Sequence, residues 1–124
     1  MISLSESYRE LLTEEEAKVM LITQAIRNKW VCTIRYLGDE QVPGGWRDIE
    51  PVCLGFTKAG NLAVRAWQKQ GDSKTPHNLP FWRLFRLDRV AQVKTNKIPF
   101  TQARPKFNKS GDRTMRQVLL IAKF

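Results

Sequence analysis

Apolar positions along the chain change their spacing once, near residue 29, and this change divides the molecule. Before it, Val19, Ile22 and Ile26 recur at helical intervals, with Leu21 and Ala25 widening the stripe, so one face of 14–28 is built to dock on a core. Thr13-Glu14-Glu15-Glu16 supplies a start: the Thr13 hydroxyl can accept the Glu16 amide, and the carboxylates complement the helix dipole. A shorter helix is predicted over residues 5–12.

After residue 29 the period falls to two. Residues 30–36 (WVCTIRY) form a strand ending at the Gly38-Asp39 turn signal, and residues 46–54 form a second after the breaker Pro43-Gly44-Gly45. Residues 61–68 form a third, and 69–80 (KQGDSKTPHNLP) read as a surface loop. Residues 81–90 (FWRLFRLDRV) form a fourth, and 91–96 form a fifth after a bend. In the fourth, Phe81, Arg83, Phe85, Leu87 and Arg89 share one face, while Trp82, Leu84, Arg86, Asp88 and Val90 share the other. Cations on both faces require the arginines to lie near strand ends or to snorkel along apolar neighbours. Residues 99–112 read as a mobile basic connector, and the run VLLIA within 114–124 as a strand or short helix packed back on the sheet.

The expected architecture is α+β: an N-terminal helical segment (1–28), a small curved five-stranded sheet or barrel (29–96) and a basic C-terminal extension (97–124). At 124 residues this is one domain.

Charge sharpens the functional picture. The formal net charge is +9 and the pI about 10.0, the footprint of a polyanion partner. Residues 1–60 carry seven basic and nine acidic side chains, net −2, whereas 61–124 carry fourteen and three, net +11. Cys32 and Cys53 lie in apolar strand segments and are expected to be buried free thiols. His77 is the only histidine, and no metal-ligand spacing or nucleophile-base pair occurs, so no metal, no cofactor and no enzymatic activity are expected. With neither an export signal nor a membrane-length apolar run, a soluble, cytoplasmic protein is expected, without membrane partners.

Four segments taken together, AIRNKWVCTIRYLG, GGWRDIEPVCL, GNLAVRAWQ and FRLDRV, resemble the WYL domain family over about residues 25–93. The most specific parts are Tyr36, Arg47-x-Ile49-x-Pro51, Arg65-Ala66-Trp67 and Phe85 to Arg89, while Asn61-Leu62-Ala63 stands where the family's eponymous tripeptide belongs. The resemblance implies an SH3/Sm-like barrel. It also implies kinship with sensor modules of bacterial transcription regulators and with CRISPR-associated and phage proteins, in which basic residues of the barrel bind nucleic acid or nucleotide-like ligands. The residues ahead of the barrel are too few for the winged helix usual in such regulators, so a free-standing module is expected.

In the third strand Leu62, Val64 and Ala66 make a core face and leave Arg65 and Trp67 together on the other, where a ring can stack a base while the guanidinium holds a phosphate. The alternative is an arginine lying over a tryptophan to cover the sheet. Trp46-Arg47 repeats the residue types, but only one of two adjacent positions can join that patch. Arg86 either binds or pairs with Asp88, Arg89 at the strand end suits phosphate, and Arg83 is aimed by any bulge near the strand start. The predicted nucleic-acid-binding residues are Tyr36, Arg47, Arg65, Trp67, Arg83, Arg86, Arg89, Arg104, Lys106 and Lys109. The expected function is a non-enzymatic regulatory module that binds nucleic acid, single-stranded in preference. The alternatives are a module that docks on a polymerase or nuclease and a sensor of a nucleotide-like small anion. The oligomeric state stays open, a homodimer among the options.

Overall fold

The computed structural model describes residues 12–71 and 81–124. The helix predicted over 5–12, the greater part of the 69–80 loop and His77 lie outside the described residues. Helix α1 (Glu14–Asn28) begins as its sequence requires: the Thr13 hydroxyl accepts the Glu16 amide and the Thr13 amide donates to the Glu16 carboxylate, both at 3.1 Å. It ends at Lys29, which takes a left-handed conformation (φ 53°) so that its amide can reach the last-turn carbonyls. Ile22, Ala25 and Ile26 are its fully buried stripe.

Six antiparallel strands follow: β1 (Trp30–Tyr36), β2 (Gly45–Thr57), β3 (Leu62–Gly71), β4 (Phe81–Arg86), β5 (Val90–Pro99) and β6 (Met115–Ile121). They pair in the order β4-β3-β2-β1-β5, with β6 also on β2. The α+β expectation therefore holds, but the sheet has six strands rather than five, and no ladder joins β4 to β5 to close a barrel among the described residues.

The extra strand is accommodated by β2. Its first part, 45–49, pairs with β1, and its last part, 53–57, pairs with β6. Between them sits Pro51, which has no amide to donate, and the register with β3 slips between Pro51 and Cys53. The strand thus exchanges one neighbour for another along the same edge. Gly55 permits the second exchange, since a Cβ there would strike the Gln117 carbonyl and the Met115 sulfur.

The predicted strand over 81–90 stops at Arg86, and the bend expected before the fifth strand is a 3-10 turn at Leu87–Arg89 that leads into β5. VLLIA resolves as strand, within β6. One contiguous core joins α1 to the inner sheet face, including Cys32, Ile34, Tyr36, Ile49, Val64, Ala66, Phe85 and Leu87. Both thiols are buried, and burial pushes the Cys32 thiol up to about 12 and the Cys53 thiol up to about 11.

Candidate nucleic-acid interface

Strand parity sorts the predicted binding residues onto two faces. The inner rows are Ile34–Arg47, Ile49–Gln68–Phe81, Pro51–Ala66–Arg83 and Leu54–Val64–Phe85. Tyr36 and Arg47 belong to this side and are only 1% exposed, so the structure places both inside rather than on the surface where they were expected. The Tyr36 ring meets Phe85 edge to face at 5.1 Å, and the Arg47 guanidinium lies 5.7 Å from the Tyr36 ring and 5.5 Å from that of Phe85. A buried guanidinium needs such acceptors, and the Pro43 carbonyl is one.

The Tyr36 hydroxyl donates to Asp39 and accepts the Arg86 amide at 3.0 Å. Burial, then this bond to Asp39, raises the phenol well above its usual range. Asp39 is itself held below the ordinary carboxylate range: burial opposes its charge, but the Tyr36 hydroxyl and the amides of Val42 and Gln41 outweigh that.

The arginines of 81–90 are likewise turned to the chain. Arg83 donates to the Gln68 side chain at 3.0 Å and lies over Phe81. Arg86 forks onto Asp88, at 3.1 and 2.7 Å, which raises its pKa further. Arg89 donates to the Gly38 carbonyl at 2.6 Å, pinning the turn that follows β1.

The outer face carries the rows Glu50–Trp67–Trp82 and Cys53–Arg65–Leu84. Arg65 and Trp67 do share this face, as parity predicts, but residues 100–114 lie across them. Expected to be a mobile connector, this strap is held at three points. Arg104 forks onto Glu50 at 2.9 and 2.7 Å, the Trp82 indole donates to the Pro105 carbonyl at 2.7 Å, and Arg65 pairs with Asp112 at 2.6 Å. Arg104 also lies 5.8 Å from the Trp67 ring, and Trp67 meets Trp82 edge to face at 5.2 Å. Between the last two of these points Phe107 packs on Phe124. Lys106 and Lys109 are exposed on it and make no ion pair among the described residues.

The same face continues along β2 past the strap. Trp46, Asp48 and Glu50 alternate onto it along β2, and Trp46 is 49% exposed. Directly across the ladder stands exposed Arg35, with Gln92 of β5 beyond it. The next row is Lys94–Thr33–Asp48–Gln70. Its carboxylate, Asp48, is occupied by the Thr33 hydroxyl and the Gln70 amide. This Arg-Trp pair is not among the sequence-predicted residues. Parity within 30–36 points Arg35 outward, but only the register shows that it faces Trp46.

No helix among the described residues is long and apolar enough to cross a membrane, and no cluster of three or more His, Cys, Asp or Glu that could hold a metal ion occurs among them.

The sequence matches the family model for the WYL domain over residues 17–95. No curated protein matches it. Among solved structures, the fold is similar to the proteasome accessory factor B/C (PafBC) of Arthrobacter aurescens, with a TM-score of 0.58 at 17% identity. The likeness covers 75% of this chain and 13% of that one, so this chain corresponds to a small part of the longer protein.

Proposed function

The chain belongs to the WYL domain family, and from that premise we propose that it is a non-catalytic regulatory module that binds nucleic acid, single strands in preference to duplex. The observation that carries this reading is the cross-strand pair of exposed Arg35 and 49% exposed Trp46 on the outer face. An exposed indole offers a surface on which an unpaired base can stack, and a guanidinium beside it can hold the adjoining phosphate. A duplex hides its base faces and profits only from the charge. The basic excess of residues 61–124 supports the reading, because phosphate contacts supply sequence-independent affinity through counterion release. Lys94, Lys106 and Lys109, all exposed, are the cations best disposed to contribute. Arg65 and Trp67 belong to the interface only when the strap is lifted.

Fluorescence anisotropy with a single-stranded oligonucleotide and its duplex tests the reading. Trp46→Ala is expected to weaken single-strand binding by about 1 to 3 kcal/mol and duplex binding by less, with charge unchanged. Arg35→Gln is expected to weaken both. Unaltered binding by both variants would sink the reading and favour the alternative, a module that docks on a polymerase or nuclease.

A further inference from the structure

Between the strap and the outer face of β2, β3 and β4 runs a cleft of about 710 Å³. That volume is within the range of roughly 300–1,000 Å³ usual for small-molecule sites. Six of its lining residues, 106–108 and 111–113, lie beyond the stretch matched by the family model, so this part of the wall belongs to this chain's own C-terminal segment.

The composition of the walls specifies a ligand. Trp82 and Phe107 supply aromatic surface, and both are fixed: the Trp82 indole by its bond to the Pro105 carbonyl, and Phe107 by its packing on Phe124. Val52 adds apolar surface. Arg65, Lys106 and Arg113 supply three cations against one carboxylate, Asp112, which Arg65 already engages. Lys106 and Arg113 are exposed and make no ion pair among the described residues. Lys106 takes its left-handed backbone (φ 67°) as the third residue of the Arg104–Phe107 turn. Fixed aromatic walls beside two exposed cations with no ion pair among the described residues suit a planar ring joined to an anionic group.

We propose that this cleft is a binding site for a mononucleotide-sized aromatic anion, its ring against Trp82 and Phe107 and its phosphate on Lys106 and Arg113. Such a ligand would bridge strap and sheet. The same chemistry is offered by a free mononucleotide and by one nucleotide of a single strand.

Titration calorimetry on the whole chain with adenosine 5′-monophosphate, adenosine and inorganic phosphate as probes decides the matter. The monophosphate is expected to bind, with adenosine and phosphate each weaker by about tenfold or more, because each lacks one of the two recognised groups. The double variant Lys106→Gln/Arg113→Gln changes only exposed side chains and is expected to weaken the monophosphate by about tenfold or more, whereas Arg27→Gln, on the exposed side of α1, leaves it unaffected. Displacement of the monophosphate by a single-stranded oligonucleotide would assign the ligand to a strand, and failure to displace it would assign a free nucleotide; both keep the site. No binding at millimolar monophosphate, equal binding of inorganic phosphate, or an unaltered affinity in the double variant would overturn it. Oligonucleotide binding through Arg35 and Trp46 that persists without monophosphate binding would overturn the cleft alone.

Discussion

Arg104 of the strap forks onto Glu50 in the middle of β2, Nε to Oε1 at 2.9 Å and Nη2 to Oε2 at 2.7 Å. The two ends of this pair differ in environment. Glu50 is 1% exposed, whereas the Arg104 side chain is 41% exposed. The arginine is therefore the ion-pair partner of a buried side chain beneath the strap, and the bond to Glu50 raises the arginine's own pKa.

Removing the cation leaves a buried carboxylate without a partner. Arg104→Ala is expected to destabilise the protein by about 2 kcal/mol, below the roughly 3–5 kcal/mol of a fully buried pair because water still reaches the Arg104 site. Glu50→Gln in the same background should recover part of the loss. A denaturant midpoint that does not move in Arg104→Ala would show that the strap is not held here.

Acid should loosen the strap at its other end. The Asp112 carboxyl sits below the ordinary carboxylate range: burial opposes its charge, but bonds from Arg65 and Thr114 outweigh it. A depressed folded pKa stabilises the native state above the unfolded value and loses that contribution as pH falls through the folded one. Melting temperature should therefore fall as pH drops below about 4, and Asp112→Asn should fall less steeply there. Parallel curves for the two proteins would mean the pair contributes nothing.

Trp67 and Trp46 should separate stability from binding. Trp67 is enclosed by Trp82 and Arg104, and its indole nitrogen is buried with no acceptor among the described residues. Trp67→Ala is expected to cost about 3 kcal/mol of stability through the cavity it leaves. Trp46→Ala, on the exposed half of the same face, should leave the unfolding midpoint within about 0.5 kcal/mol of the parent. If Trp67→Ala keeps the parental midpoint while single-strand affinity drops, the strap must stand open in solution.

The thiols should be inert in the folded state. With Cys32 pushed up to about 12 and Cys53 to about 11, both by burial, neither forms appreciable thiolate near neutral pH. Alkylation followed by mass spectrometry is expected to label neither cysteine in the native protein and both in denaturant. Rapid native labelling of Cys53, which lines the cleft, would show that the strap opens on the timescale of the reaction.

How far the sequence reaches can be read from particular residues. The capping box fixed the start of α1 because a cap is a local hydrogen-bond pattern, complete within four residues. Alternation put Arg65 with Trp67, and Phe81 with Arg83 and Phe85, on shared faces, since side-chain direction in a strand follows from the backbone alone. The Arg86–Asp88 pair, two positions apart, was equally legible. What period two does not carry is what covers a face. Arg65 and Trp67 were expected outward, and they meet a strap from some forty residues downstream whose anchors, Glu50 and Asp112, are ordinary charged residues by composition. Tyr36 and Arg47 read as surface ligands, yet the inner face closes over both. Arg35 meets Trp46 only because residues 37–44 set the register between β1 and β2, and a slip of one position would have turned one of them inward. Local chemistry determined the helix, most of the strands and the sides of the sheet. Tertiary structure alone decided which of those sides meets solvent, because burial is a property of contacts between distant segments, and no short stretch of sequence contains both partners.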